Sequence, residues 1–193
     1  MSSVRPVQSS LRSSMTKTVY YVRHGLSQGN ADGVTSGAEH DCDLTDEGRD
    51  QAKQAGQDLR DKHIDLVVCS PMKRTVETAE IIARELGYDA QNIVQRPEFI
   101  ERYVGAYSGK PYQEYRDAIA SGNTHESLET YQQMHDRISQ GLAWIKQRPE
   151  KRIVIVSHGG AGRVMRAINQ GLHFDDIYKV EGFKNTEIYE FSL

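Results

Sequence analysis

Two unbroken apolar runs constrain this chain more than any other feature: Asp65-Leu-Val-Val-Cys69 and Arg152-Ile-Val-Ile-Val-Ser157. Both are rich in β-branched residues and neither alternates with polar positions, the pattern of strands covered on both faces. Runs at 18–22 (TVYYV) and 186–191 (TEIYEF) complete four strand candidates. Helical periodicity falls between them, at 46–62, 71–86, 127–147 and 160–171. Strand and helix therefore alternate, which predicts an α/β fold: a three-layer α/β/α sandwich around a mostly parallel sheet. No repeat or low-complexity linker divides residues 18–193, so they read as one domain. Residues 97–126, with their Pro, Gly and Tyr content, read as a lid-like insertion. Residues 1–17 are Ser-rich and basic with no acid. They are expected to be a flexible N-terminal extension, or an upstream start before Met15, with a transit-like peptide as the alternative.

In open α/β sheets ligands gather outside the carboxyl ends of the strands. Here those ends carry reactive residues: Arg23-His24-Gly25 after the first run, Ser70-Pro71-Met72-Lys73-Arg74 after the second, and Ser157-His158-Gly159-Gly160 after the third. Ser70 and Pro71 suit the N-cap and first position of a helix. Arg74 then falls in the first turn, against the helix dipole, a misfit that a bound anion would resolve. Arg23, Arg74 and His158 would form a cationic pocket around His24. Neighbouring cations disfavour an imidazolium, which keeps His24 neutral and nucleophilic. An alkoxide leaving group also needs a proton, and the insertion offers Glu98 and Glu101 as carboxyl donors.

Other chemistries find little support. A net charge of −3, from 24 Lys+Arg against 27 Asp+Glu, lacks the basic excess of a nucleic-acid binder. An anionic ligand must be drawn by local cations instead. Gly160 and Gly162 do not complete a dinucleotide loop, because Met165 stands at the third position, and no GK[ST] occurs. The 7 histidines form neither HExxH nor HxH, and His40-Asp41-Cys42-Asp43 is a poor ligand set, so no metal is expected. Cys42 and Cys69 form no CxxC pair, which points to a reducing, cytoplasmic location. No apolar run approaches the ~18–20 residues of a membrane span. The edge strand near 186–191 is a candidate for pairing two copies into a homodimer.

Taken together, these residues resemble the histidine phosphatase superfamily, in the branch of cofactor-dependent phosphoglycerate mutases and broad-specificity phosphatases. The resemblance runs from Thr18 onward. It rests on Arg23-His24-Gly25 with Ser27 and Asn30, on Leu44-Thr45-Asp46-Glu47-Gly48, on Ser70-Pro71-Met72-Lys73-Arg74, on Glu101 with Gly105 and Gly109, and on Ser157-His158-Gly159. It implies that His24 attacks phosphorus to form a phosphohistidine. Glu101, rather than Glu98, would protonate the leaving oxygen and then activate water. Arg23, Arg74 and His158 would stabilise the phosphoryl oxygens, with Asn30 and the Gly159 backbone as lesser contacts and no cofactor. The expected activity is metal-independent hydrolysis of a small phosphate monoester. A phosphoglycerate mutase or sugar bisphosphatase is the alternative, and a phospho-ligand binding protein without turnover is a third reading.

Some positions depart from the family habit. Leu26 replaces an acid or amide and Gly29 an aromatic, which predicts a more apolar, more flexible loop. Residues 110–126 lack the paired arginine and proline run of the mutases, which favours hydrolysis. Arg102 either binds a substrate carboxylate or second phosphate or is simply solvated. Specificity would lie in the 97–126 insertion, where Tyr103, Tyr107, Tyr112, Tyr115 and Arg116 are either exposed candidates or lid packing, with packing favoured for most of them.

Overall fold

The computed structural model describes residues 16–193, and the extension assigned to residues 1–17 lies almost wholly outside them. The four expected strands form as β1 (Thr18–Arg23), β2 (Leu66–Cys69), β4 (Arg152–Ser157) and β5 (Ile188–Ser192), with a two-residue β3 (Val94–Gln95) added. Their order across the sheet is β3-β2-β4-β1-β5. All pairings are parallel except β1 with β5, which is antiparallel. Because β1, β2 and β4 run parallel side by side, the residues that follow Arg23, Cys69 and Ser157 emerge at one edge.

Alternating side chains of each strand enter different layers, as a pleated strand requires. Val19, Tyr21, Ile153 and Ile155 pack with Met134, Ile138, Val164 and Met165. Those partners come from α5 (Tyr131–Gln147) and α6 (Gly159–Asn169). Tyr20, Val22, Val154 and Val156 pack on the other face with Ala55, Ala79 and Ile82, from α2 (Asp46–Asp58) and α3 (Lys73–Leu86). Helices cover both faces, so the strands could carry unbroken apolar runs. The three-layer sandwich follows. No helix among the described residues is long and apolar enough to cross a membrane.

Several boundaries shift for local reasons. α5 starts at Tyr131, later than expected, because Thr130 and Gln133 close a capping box there. Within the insertion, α4 (Tyr112–Ser121) forms and ends at Gly122 in the left-handed conformation. Tyr107 and Tyr115 pack edge to face in a small cluster with Val104 and Leu128. Tyr103 and Tyr112 stay about half exposed. β3 was invisible because a two-residue edge strand has no periodicity to read.

The Leu44-Thr45-Asp46-Glu47-Gly48 motif earns its glycine by close approach. Thr45 caps α2, its hydroxyl accepting the Gly48 N–H at 3.0 Å. A Cβ on Gly48 would collide with the Leu26 backbone, and one on Gly25 with the Gly48 carbonyl. Gly25 is therefore needed for backbone contact with α2 rather than for a sharp turn, and α2 seats the loop that follows His24. Gly48→Ala is expected to cost about 1–3 kcal/mol, the usual range for overpacking. A fall in the denaturant midpoint with an unchanged slope would measure it.

Candidate active site

His24, Arg23, Asn30, Arg74, Glu101, Arg102 and Gly159 line one cavity of about 480 Å³. Every predicted site residue except His158 contributes to its wall. His158 sits behind it, fully buried, with its ring edge-on to that of His24 at 5.3 Å between centroids.

The imidazole of His24 is oriented by its own backbone: Nδ1 lies 2.7 Å from the Gly25 carbonyl oxygen. A carbonyl can only accept, so Nδ1 carries the proton and Nε2 keeps its lone pair. Burial first, then the Arg74 and Arg23 guanidinium groups, hold the His24 pKa well below its ordinary value. Burial leads here, ahead of the cations invoked from sequence. His158 is held well down in the same way, by burial first and then by Arg74 and His24.

Two buried neutral histidines tie stability to pH. In the unfolded chain they protonate near the ordinary value of about 6.5; in the native state they resist until far lower. The unfolded state then binds more protons, so stability is full above about pH 6.5 and falls as the pH drops below it, until the native values are passed. Each histidine contributes about 1.4 kcal/mol per pH unit within that window. Chemical denaturation at stepped pH between about 7 and 5 would read this slope.

Arg23 and Arg74 are mounted differently. Arg23 Nη1 donates to the Phe183 carbonyl at 2.6 Å and Nη2 to Asn30 Oδ1 at 3.3 Å. Its Nε is buried without a partner among the described residues. Asn185, which no sequence signal marked, donates to the His24 carbonyl at 3.0 Å and closes this side of the site. Arg74 is 2% exposed; Nη2 donates to the Gly37 carbonyl at 2.9 Å and Nη1 to Asp41 Oδ1 at 3.1 Å.

That last contact corrects an expectation. The anion at the start of α3 is the protein's own: Asp41 Oδ2 also accepts the Lys73 N–H at 2.7 Å. Asp41, dismissed as a metal ligand, resolves the misfit of Arg74 from within the chain. Ser70 does not cap α3 either. Met72 occupies the N-cap with no side-chain bond, and Ser70 Oγ instead lies 2.8 Å from His158 Nε2.

Glu101 lies across the start of α6. Its Oε1 accepts the N–H groups of Arg102 at 2.9 Å and Ala161 at 3.2 Å, and Oε2 accepts that of Gly160 at 3.0 Å. Its segment is clamped by Arg137 of α5, which donates to the carbonyls of Glu98, Ile100 and Glu101 and pairs with Glu129. Glu98 is tied to Arg96 and does not line the cavity. Glu39 accepts the N–H groups of Val104 and Gly105 at 3.1 and 2.7 Å. Arg137 and Glu39 lie far from Glu101 in sequence and carried no motif.

Arg102 is not a solvated arginine. It is 7% exposed, stacked 4.2 Å from the Tyr131 ring centre, with Nε on the Glu129 carbonyl at 2.7 Å and Nη1 on Tyr115 Oη at 3.0 Å. Gly29 does not loosen its loop. It is buried in the short α1 (Gln28–Ala31), where a Cβ would strike Ser36 Oγ. Gly162 likewise makes room for Tyr21, whose hydroxyl donates to the His158 carbonyl at 2.6 Å. Cys69, at the end of β2, is inert here because burial pushes its thiol up to about 12. No group of three or more His, Cys, Asp or Glu among the described residues is placed to hold a metal ion.

Comparison with known proteins places the chain in a family. The family model of the histidine phosphatase superfamily (branch 1) matches residues 19–193. A Bacillus subtilis (strain 168) protein named an uncharacterized phosphatase, PhoE, is 36% identical over 144 residues, covering 74% of this chain and 72% of that one. Phosphoglycerate mutase-like protein 4 of Arabidopsis thaliana is 31% identical over 189 residues, covering 91% and 79%. Among solved structures, Bacillus stearothermophilus YhfR shares the fold with a TM-score of 0.79 at 24% identity, over 90% of this chain and 89% of that one. A mycobacterial glucosyl-3-phosphoglycerate phosphatase, in complex with VO3, shares it with a TM-score of 0.79 at 21% identity, over 90% and 92%.

Proposed function

Since the chain belongs to the histidine phosphatase superfamily, we propose that it hydrolyses small phosphate monoesters through a phosphohistidine on His24. The observation that carries this reading is the His24 imidazole itself: neutral, bound through Nδ1, and presenting its Nε2 lone pair to a cavity walled by Arg23 and Arg74. In the first step Nε2 attacks phosphorus and the P–O bond to the alcohol breaks, with Glu101 delivering a proton to the departing oxygen. In the second step Glu101 takes a proton from water as it attacks the phosphohistidine, releasing phosphate and restoring His24. The two guanidinium groups offset charge on the equatorial oxygens throughout. His158, the amide of Asn30 and the Gly159 backbone add hydrogen bonds. We place the enzyme in the cytoplasm, in keeping with its unpaired Cys42 and Cys69.

Release of phosphate from p-nitrophenyl phosphate in EDTA, with an acid-labile, alkali-stable phosphoryl group trapped on His24, is the expected result. Absence of turnover across a panel of sugar phosphates, phosphoglycerates and nucleotides would reject it. A second reading, as a mutase or sugar bisphosphatase, is favoured by one observation. Arg102 faces the same cavity with part of its guanidinium uncommitted. Isomer formation from 3-phosphoglycerate with a bisphosphorylated primer would support it, and simple hydrolysis would count against it.

A further inference from the structure

Ser70 follows β2, and its backbone is tightly held. Its N–H donates to the Val156 carbonyl at 3.0 Å, and its own carbonyl accepts the Thr75 hydroxyl at 2.8 Å. The side chain is thus aimed at His158 and away from the α3 terminus. Both residues are fully buried, so no bulk water competes for the contact between Ser70 Oγ and His158 Nε2. We propose that Ser70 is a positioning residue that sets the tautomer of His158: its hydroxyl donates to Nε2, so that Nδ1 keeps the proton and offers it to the transferring phosphoryl group.

A neutral imidazole has one N–H and one lone pair, and a serine hydroxyl has one donor. If Nε2 carried the proton and donated to Ser70, the hydroxyl hydrogen would lack an acceptor among the described residues. The Nδ1 lone pair would be orphaned as well, since Nδ1 is buried without a partner. If Ser70 donates, the Nδ1–H and the Oγ lone pairs are left over, so each arrangement leaves one donor and one acceptor without a partner among the described residues. The ligand separates them: a phosphoryl oxygen only accepts, so beside His24 it pairs with a surplus Nδ1–H and would be repelled by an Nδ1 lone pair, and buried polar groups avoid being left unpaired. Topology supports the direction of that N–H. β4 lies between β2 and β1, so a ring whose Nε2 reaches Ser70 on the β2 side turns its Nδ1-bearing edge toward β1 and His24. With burial first, and then the Arg74 guanidinium, disfavouring a charged ring, His158 has no second N–H to offer, and the choice of tautomer decides whether it can donate to phosphate at all.

Nitrogen-15 NMR of the histidines in the wild-type protein, with His158 assigned by substitution, tests this directly. A protonated Nδ1 and a pyridine-type Nε2 are expected; a protonated Nε2 overturns the proposal. Ser70→Ala is expected to lower kcat on an alkyl phosphate by about 10–100-fold, the range seen when the partner orienting a metal-bound histidine is lost. KM should change far less, and the His158 signals should move toward a mixture of tautomers. Ser70→Thr, which keeps a hydroxyl, should restore most of the loss. An unchanged kcat, or a loss in KM alone, overturns the proposal. The effect on turnover rests on the phosphatase reading, but the NMR readout does not. Wild-type protein without activity rejects that reading, whereas active protein with Nε2 protonated rejects only the role of Ser70.

Discussion

His24→Ala is expected to abolish turnover, lowering kcat by about 10⁴–10⁶-fold, as loss of a covalent nucleophile does elsewhere. The cause is chemical rather than structural. Arg23, Arg74 and the Glu101 carboxylate are held by contacts that do not involve the imidazole: the Phe183 and Gly37 carbonyls, Asp41, and the Gly160 and Ala161 amides. The variant should therefore still bind phosphate while forming no phosphoenzyme. It also removes one of the two buried neutral histidines, so its stability should fall less steeply below about pH 6.5. Initial rates, phosphoenzyme trapping and acid-side denaturation together check the expectation. Turnover near the wild-type rate would remove His24 from the mechanism.

Glu101→Gln should separate two kinds of substrate. The amide cannot give up a proton to an alkoxide, so hydrolysis of alkyl phosphates is expected to fall by about 10²–10⁴-fold. p-Nitrophenolate leaves without protonation, so phosphoryl transfer from p-nitrophenyl phosphate should be damaged much less. Water activation in the second step is still lost, and phosphoenzyme should accumulate as a burst. The amide NH₂ must also face one of the N–H donors now bound to the carboxylate, which weakens the hold of the 101 segment on α6. Equal losses on both substrates, with no burst, would assign Glu101 to binding instead.

The strands were legible because parallel strands covered on both faces must be apolar along their whole length. Once they align, Arg23, Ser70 and His158 have to share an edge. The short β3 and the inserted α4 escaped, one for want of length and the other because Pro111 and Gly122 read as breaks within the lid. At the site, Ser70-Pro71 met every local rule for a helix start, yet Met72 took that place, because tertiary contacts with Val156, Thr75 and His158 hold Ser70 elsewhere. Asp41 looked like part of a loose acidic patch until the fold set it against Arg74. Gly29 suggested flexibility, but what required it was the proximity of Ser36.

By itself, then, the sequence determined which motifs gather at one edge of the sheet: apolar runs mark the strands, their alternation with helices makes neighbours parallel, and that direction decides where the motif residues emerge. Only the tertiary structure decided their working state. The lone pair on His24 Nε2, the partner of His158, the internal anion on Arg74 and the seating of Glu101 on α6 all depend on groups distant in the chain or on local backbone geometry. Hydrogen bonds, proton positions and desolvation are set by neighbours within a few ångströms, and linear spacing does not encode those neighbours.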